Sequence, residues 1–226
     1  MTIRVGLELP APGSNEPFGA WVFDLPGCYS SGADELAAIA GVDRQMERYL
    51  RLLEANRIAP PLVPNGDTVV VERFSCRWDG DYEVNASFSS DGGQVSDDEV
   101  GFARAVLAVT RPALIRVARR ANEWPKGTRT VGEVLHHVAS AEWFYSTRME
   151  RDPETQRRFG RAELTHPLER LGAVRAWVLA RLDTLPSLGA LERTHRGERW
   201  TPRKVLRRFI YHELDHLAEL EARAQA

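Results

Sequence analysis

The segment TPRKVLRRFIYHELDHLAEL, residues 201–220, predicts an amphipathic helix with two histidines on one side. Thr201 and Pro202 suit its N-cap and first turn. Its apolar positions fall on one face, formed by Val205, Leu206, Phe209, Ile210, Leu217 and Leu220. His212 and His216 are four residues apart at the edge of that face. This spacing lets two imidazoles bind one metal ion.

The same residues match the H-E-x-x-H motif of zinc proteases, in which the Glu is the general base and a third ligand follows downstream. No His, Cys or Asp follows His216 in the sequence. We therefore expect the third ligand to come from an earlier helix, and a protease is the least favoured interpretation.

A second helix, predicted over 130–149, carries the adjacent pair His136 and His137. His137 lies about 90° from the centre of that helix's apolar face, and His136 lies nearly opposite that face. His137 is therefore the predicted third ligand and His136 a surface residue. Three imidazoles on one divalent ion leave room for a water whose pKa the metal would lower. The alternative is that the histidines are packing or surface residues without a metal.

Two carboxylates fall on apolar helix faces, Glu142 on the second helix and Glu213 on the last. A buried carboxylate is costly unless it is paired or hydrogen-bonded. Each therefore has either a role beside the metal or an arginine partner, and the pattern leaves both open. Asp215 is the third candidate for handling protons.

The chain before residue 89 predicts mixed α/β structure: strands at 3–9 and 20–23, a helix over 34–55, and a hairpin of strands 68–77 and 82–88. The Gly/Ser/Asp-rich segment SSDGGQVSDD, residues 89–98, predicts a boundary. Four helices are expected beyond it, over 97–122, 130–149, 167–185 and 202–224. The predicted fold is an α+β domain over 1–95 followed by an all-α four-helix bundle over 96–226.

Composition is that of an ordinary globular protein, with a net charge of −2. Residues 1–96 hold 7 basic and 14 acidic side chains, whereas 97–226 hold 23 and 18. The basic residues lie in helical patterns without interleaved aromatics, so no nucleic-acid partner is expected. The two cysteines, Cys28 and Cys76, predict no disulfide framework. Without a signal peptide or a membrane-length apolar run, the chain is expected to be cytoplasmic, with no membrane partner.

The segments VGEVLHHVASAEWFYSTRM (131–149) and GERWTPRKVLRRFIYHELDHLAEL (197–220) resemble the DinB/YfiT-like family of four-helix metal-binding proteins. The matching positions are Leu135, His137, Glu142, Thr201, Arg203, His212 and His216. The resemblance spans about 97–226 and implies a divalent ion, such as zinc, nickel or manganese, on the three histidines. It also implies a homodimer and, for some members, a low-molecular-weight thiol as co-substrate of an S-transferase or isomerase.

The segment FDLPGCYSSGADELAAIAGVDRQMERYL, residues 23–50, resembles the HicB-like antitoxin pattern, in which a strand ends in D-L-P-G-C and leads into a helix. Asp24, Leu25, Pro26, Gly27, Cys28 and Gly32 carry this match over about residues 1–60. HicB antitoxins normally add a DNA-binding domain, whereas here a DinB-like bundle follows. The resemblance therefore implies a binding or oligomerising module.

Two functions follow from these patterns. The first is a metal-dependent enzyme, of the thiol-dependent S-transferase or hydrolase type, that acts on a small molecule at the three-histidine site. The second is a non-catalytic adaptor whose bundle is stabilised by the metal and whose HicB-like domain recruits a protein partner.

Overall fold

The computed structural model describes residues 2–121, 129–150 and 166–225. Its N-terminal α/β region contains a four-stranded sheet of strands β1 (Ile3–Leu9), β2 (Phe18–Val22), β3 (Tyr29–Gly32) and β4 (Thr68–Ser75). The strand order is β3-β2-β1-β4. Strand β1 pairs antiparallel with β2 and parallel with β4, and β2 pairs antiparallel with β3. Two helices, α1 (Glu35–Ala40) and α2 (Val42–Ala55), connect β3 to β4.

The helix expected over 34–55 is divided at Gly41, which ends α1 and begins α2. A Cβ at this glycine would lie 2.3 Å from Ser30 Oγ on strand β3. A side chain at Gly41 would therefore require the Ser30 side chain to move. The start of the helix is as expected, because Asp34 accepts a hydrogen bond from the Ala37 N–H at 2.8 Å.

The expected hairpin over 68–88 is only partly right. Its turn forms at Gly80, with φ +66°, between β5 (Arg77–Asp79) and β6 (Tyr82–Val84). Strand β4, expected to be the first arm of that hairpin, instead joins the main sheet beside β1. At Cys76 the chain still donates its N–H to Leu9 O at 2.8 Å, and it then leaves the sheet. Strand β3 was not predicted, because its sequence YSSG lacks an alternating apolar pattern.

The C-terminal region contains four long helices, α3 (Asp97–Ala118), α4 (Val131–Ser146), α5 (Pro167–Leu182) and α6 (Pro202–Gln225). Their starts agree with the capping signals: Ser96 with Glu99 and Thr130 with Glu133 form capping boxes. Helices α4 and α5 end three residues before the predicted ends at 149 and 185. The predicted end of α3 at 122 lies outside the described residues. The helices pack mainly in the pairs α3 with α6, α4 with α5 and α4 with α6.

A short hairpin, β7 (Arg193–His195) and β8 (Glu198–Trp200), lies between α5 and α6 and was not predicted from the sequence. Its turn contains Arg196 at φ +49° and Gly197 at φ +72°. Two successive left-handed residues are typical of a tight two-residue hairpin turn. Strand β8 leads directly into the N-terminus of α6.

One hydrophobic cluster extends through both regions, from Val5 and Leu53 in the α/β part to Val134 and Leu220 in the helical part. The turn before β3 packs onto α6, and a Cβ at Gly27, which has φ +92°, would lie 2.3 Å from Ile210 Cγ2. The α/β region is thereby held against the helix that carries His212 and His216. The division into domains at 95/96 stays a prediction. In the described part of the chain no helix has the length and apolarity needed to cross a membrane.

Candidate metal centre

The structure brings together the three histidines that the sequence singled out. His137 comes from α4, and His212 and His216 come from successive turns of α6. One nitrogen from each ring lies within 4.8 Å of the other two. His137 Nε2 and His212 Nε2 are 3.0 Å apart. His136 is half-buried and lies outside this cluster.

Glu219 orients the ring of His216. Its Oε2 lies 2.6 Å from His216 Nδ1, and Arg223 pairs with its other oxygen. The hydrogen bond from His216 and the charge of Arg223 hold the pKa of Glu219 below its ordinary value. An ionised carboxylate only accepts hydrogen bonds, so Nδ1 of His216 donates to Glu219 and Nε2 is the nitrogen left for a metal. Glu219 was not predicted from the sequence, although its position three residues after His216 was a usable signal.

Two of the imidazoles, His137 and His212, are held in the neutral form that binds metals. Burial, and then the neighbouring His216 and His137, lower the pKa of His212 well below its ordinary value. Burial and His216 also lower the pKa of His137, which lies at the more open rim of the cluster. At neutral pH both rings therefore present an unprotonated nitrogen.

The three histidines line a cavity of about 400 Å³ between the α/β region and the helical region. The helical side also contributes Arg129, Tyr145, Arg208, Tyr211 and Asp215. The opposite side includes Glu8, Tyr29, Cys76, Glu83 and Asn85 from the α/β region. The two regions therefore form one continuous site, a point that the sequence left open.

Glu142 and Glu213 take the arginine-paired arrangement, one of the two alternatives left by the sequence. Arg111 Nη2 lies 2.8 Å from both carboxylates, and Arg175 Nε lies 2.7 Å from Glu142 Oε1. Arg175 also pairs with Glu213, which accepts a further hydrogen bond from Thr110. Burial acts against ionisation of Glu213, but Arg111 and Arg175 lower its pKa below the ordinary value.

This salt-bridge cluster draws one side chain from each long helix: Arg111 from α3, Glu142 from α4, Arg175 from α5 and Glu213 from α6. Neither carboxylate contacts a cluster imidazole among the hydrogen bonds of the described residues. The cluster therefore fixes the helices that carry the histidines.

Asp215 lies on the cavity wall one residue before His216 and is exposed to solvent. The described residues include no hydrogen bond from Asp215 to the three imidazoles. Its proton-handling role stays a prediction.

The sequence profile of the DinB superfamily matches residues 94–220, which is more than half of the chain and includes all three histidines. No curated protein and no solved structure gives a significant match. The match does not reach residues 1–93, so the HicB-like resemblance stays a prediction. The match over the helical region shows that this chain belongs to the DinB superfamily.

Proposed function

We propose that this chain is a divalent-metal-dependent enzyme, of the thiol-dependent S-transferase or hydrolase type, with its metal held by His137, His212 and His216. The converging nitrogens of three rings carry the proposal. Two imidazole ligands of a tetrahedral zinc ion are about 3.3 Å apart, given Zn–N bonds of about 2.0–2.1 Å. The 3.0 Å separation of the His137 and His212 nitrogens is close to that value.

A hydrogen bond between two neutral rings would also explain that 3.0 Å separation. It would account for only two of the three rings. The carboxylate of Glu219 engages Nδ1 of His216, which leaves Nε2 of that ring for a metal. This carboxylate–histidine arrangement is typical of metal ligands.

A bound divalent ion would supply a Lewis acid that lowers the pKa of a water or a thiol in the cavity. Asp215, on the cavity wall, is the proposed proton acceptor. Glu142 and Glu213 hold the ligand helices at the spacing that the site needs, and the α/β region shapes the substrate space. We also propose that α3 to α6 form the family's four-helix bundle and that the protein is a homodimer.

Elemental analysis of the untagged protein tests the metal site, comparing wild type with alanine variants of the three histidines. We expect near-stoichiometric zinc, nickel or manganese in wild type and its loss from His137→Ala, His212→Ala and His216→Ala. His136→Ala is the matched control, because it removes the adjacent imidazole outside the cluster and should keep the metal. A wild-type protein that stays metal-free after reconstitution with each ion would overturn the proposal.

An adaptor is the second candidate function, and the surface of the α/β region favours it. Strand β4 lies at the edge of the sheet and exposes Val69 and Val71, while Leu36 on α1 is 78 % exposed. Exposed apolar side chains beside a sheet edge suit a protein partner. An adaptor would bind metal and gain thermal stability from it, yet would turn over no substrate in a panel of hydrolytic and thiol-conjugation reactions. If wild type turns over a substrate of this panel and His212→Ala does not, the protein is an enzyme and not an adaptor.

A further inference from the structure

Arg208 shares the histidine side of α6. The positions of Arg208, His212 and His216 repeat every four residues, and all three side chains line the same cavity. Four residues advance a helix by about 6 Å along its axis. The guanidinium therefore belongs to the wall next to the histidine cluster, one turn towards the N-terminus.

The other arginines of α6 already form ion pairs with carboxylates. Arg203 pairs with Glu99 at 2.7 Å, Arg207 pairs with Asp91 at 2.8 Å, and Arg223 pairs with Glu219. In contrast, Arg208 makes no ion pair with any residue in the described ranges, and its buried Nε has no hydrogen-bond partner there. A guanidinium in a cavity wall that makes no ion pair leaves its charge and its other N–H groups available to an anionic ligand.

The guanidinium is held in place by aromatic rings rather than by carboxylates. Its Cζ lies 5.6 Å from the ring centroid of Tyr145 and 5.9 Å from that of Trp21. These contacts stabilise a cation and restrict its position while leaving the N–H groups in its plane available. Arg208 is therefore fixed before any ligand arrives.

Glu8 and Glu198 are the carboxylates whose charge acts on Arg208, and the oxygens of Glu8 are already in use. They accept hydrogen bonds from Trp21 Nε1 and from the Ala86 N–H, both at 2.7 Å, and from the Cys76 thiol at 3.6 Å. Burial opposes its charge, but Arg208, the Ala86 N–H and Trp21 keep the pKa of Glu8 below its ordinary value. Glu8 and Glu198 thus balance the charge of Arg208 without a direct ion pair.

Tyr145 adds a second donor beside Arg208. Its ring meets the ring of His212 edge-on at 5.7 Å, so the side chain bridges the arginine and the histidine cluster. Burial raises the pKa of Tyr145, so its hydroxyl keeps its proton at neutral pH. Among the described residues no hydrogen bond satisfies that hydroxyl, and Tyr145 lines the cavity.

We propose that Arg208 and Tyr145 form a carboxylate-binding subsite beside the three histidines, and that the substrate carries a carboxylate next to its reacting group. This inference rests on the proposed enzymatic function. The planar guanidinium matches a carboxylate, and Tyr145 supplies a further hydrogen bond. Glu8 and Glu83 on the opposite wall repel a second negative charge, which favours a singly charged group over a phosphate dianion.

The test uses two probes of the same shape, 3-mercaptopropionate and the neutral 3-mercaptopropanamide, with the full-length cobalt(II)-loaded protein. Binding is followed by the visible absorption bands of cobalt. A charge-assisted hydrogen bond contributes about 1.5–3 kcal/mol, so wild type should bind the acid roughly tenfold more tightly than the amide, or better. Arg208→Gln should reduce this preference to about one, and Tyr145→Phe should reduce it in part.

Two control variants test whether the preference for the acid depends on Arg208 in particular. Arg44→Gln removes an exposed arginine of α2, and Arg129→Gln removes the other arginine of the cavity. Both should retain the preference for the acid. Equal affinities for acid and amide in wild type, or a preference that survives in Arg208→Gln, would overturn the proposal. So would a preference lost in Arg129→Gln but kept in folded Arg208→Gln, as judged by circular dichroism.

Failure of the metal site is detected separately. If cobalt does not bind, the proposed function fails, and the subsite is then tested in the metal-free protein with propionate and propionamide. The readout is the Nε–Hε NMR signal of Arg208, identified by its absence from Arg208→Gln. Propionate should shift this signal and propionamide should not. Identical responses to the two compounds would reject the subsite on its own.

Discussion

A single hydrogen bond sets the chemistry of His216. The carboxylate of Glu219 accepts the Nδ1 proton, and Arg223 holds that carboxylate from its other side. The ring is thereby held beside the rings of His137 and His212, whose centroids lie 5.0 Å and 4.6 Å away. Glu219 thus acts on the metal site through a ligand, so it is a positioning residue.

Glu219→Gln should weaken zinc binding about 10- to 100-fold, because the neutral amide orients the ring less firmly and makes the imidazole a poorer donor. Competition with a chromophoric chelator measures the dissociation constant. Glu221→Gln is the matched control on the same helix, since Glu221 pairs with Arg48 and should leave the affinity unchanged. Equal affinities in Glu219→Gln and wild type would show that His216 needs no orienting carboxylate.

Residue patterns predicted the histidine cluster but not the partners of the carboxylates. Helical spacing is enough to place His212 and His216 together. Helical periodicity also placed Glu142 and Glu213 on apolar faces. Their partners, Arg111 and Arg175, come from two other helices. Such pairings depend on how the helices pack against one another. The periodicity of a single helix carries no information about that packing.

The four long helices are joined by the salt-bridge cluster rather than by apolar contacts alone. Each cation bridges both carboxylates, and each also donates to a backbone carbonyl, Arg111 to Leu171 O and Arg175 to Leu107 O. Removing one member leaves the remaining charges incompletely paired inside the protein.

Arg175→Met should lower the free energy of unfolding by about 3–5 kcal/mol, because two buried carboxylates would then share one arginine. Urea denaturation measures this change. Arg116→Met, on the exposed side of α3, makes the same substitution and should stay within about 0.5 kcal/mol of wild type. A loss below about 1 kcal/mol in Arg175→Met would mean that the cluster does not stabilise the packing.

Helix starts were predictable because their signals are local: Ser96 and Thr130 make their capping bonds within three residues. The break at Gly41 lies against Ser30, on a strand that the sequence pattern did not reveal. The β7–β8 hairpin was missed for the related reason that its three-residue strands are too short for a periodic signal.

The metal-free protein should be less stable in acid, because the fold keeps His212 neutral. Because the fold lowers the pKa of His212, the unfolded chain binds more protons than the folded chain once the pH falls below about 6.5. The free energy of unfolding of metal-free protein should therefore decrease as the pH falls from about 7 to about 5.

Urea denaturation of metal-free protein across this range checks the expectation. His212→Gln keeps a polar ring-free side chain that does not titrate, so its stability should depend less steeply on pH than that of wild type. His136→Gln is the control for removing a histidine outside the cluster. Parallel pH profiles for wild type and His212→Gln would exclude His212 as a source of acid sensitivity.

The shared cavity was beyond prediction from sequence, because its two walls come from segments with no pattern in common. Glu8 lies on β1 and Tyr145 on α4, and only the packing of the α/β region on α6 places them around one space. The sequence predicted both regions but gave no means of orienting them.

The contact between the Gly27 turn and α6 carries an implication for other members of the family. Ile210 is fully buried, and the ring of Tyr211 lies 4.5 Å from Trp21 and 4.4 Å from Tyr29. A superfamily member made of the helical region alone would lack the rings of Trp21 and Tyr29 that cover the residue at this position. We therefore expect such members to carry a polar residue in place of Tyr211.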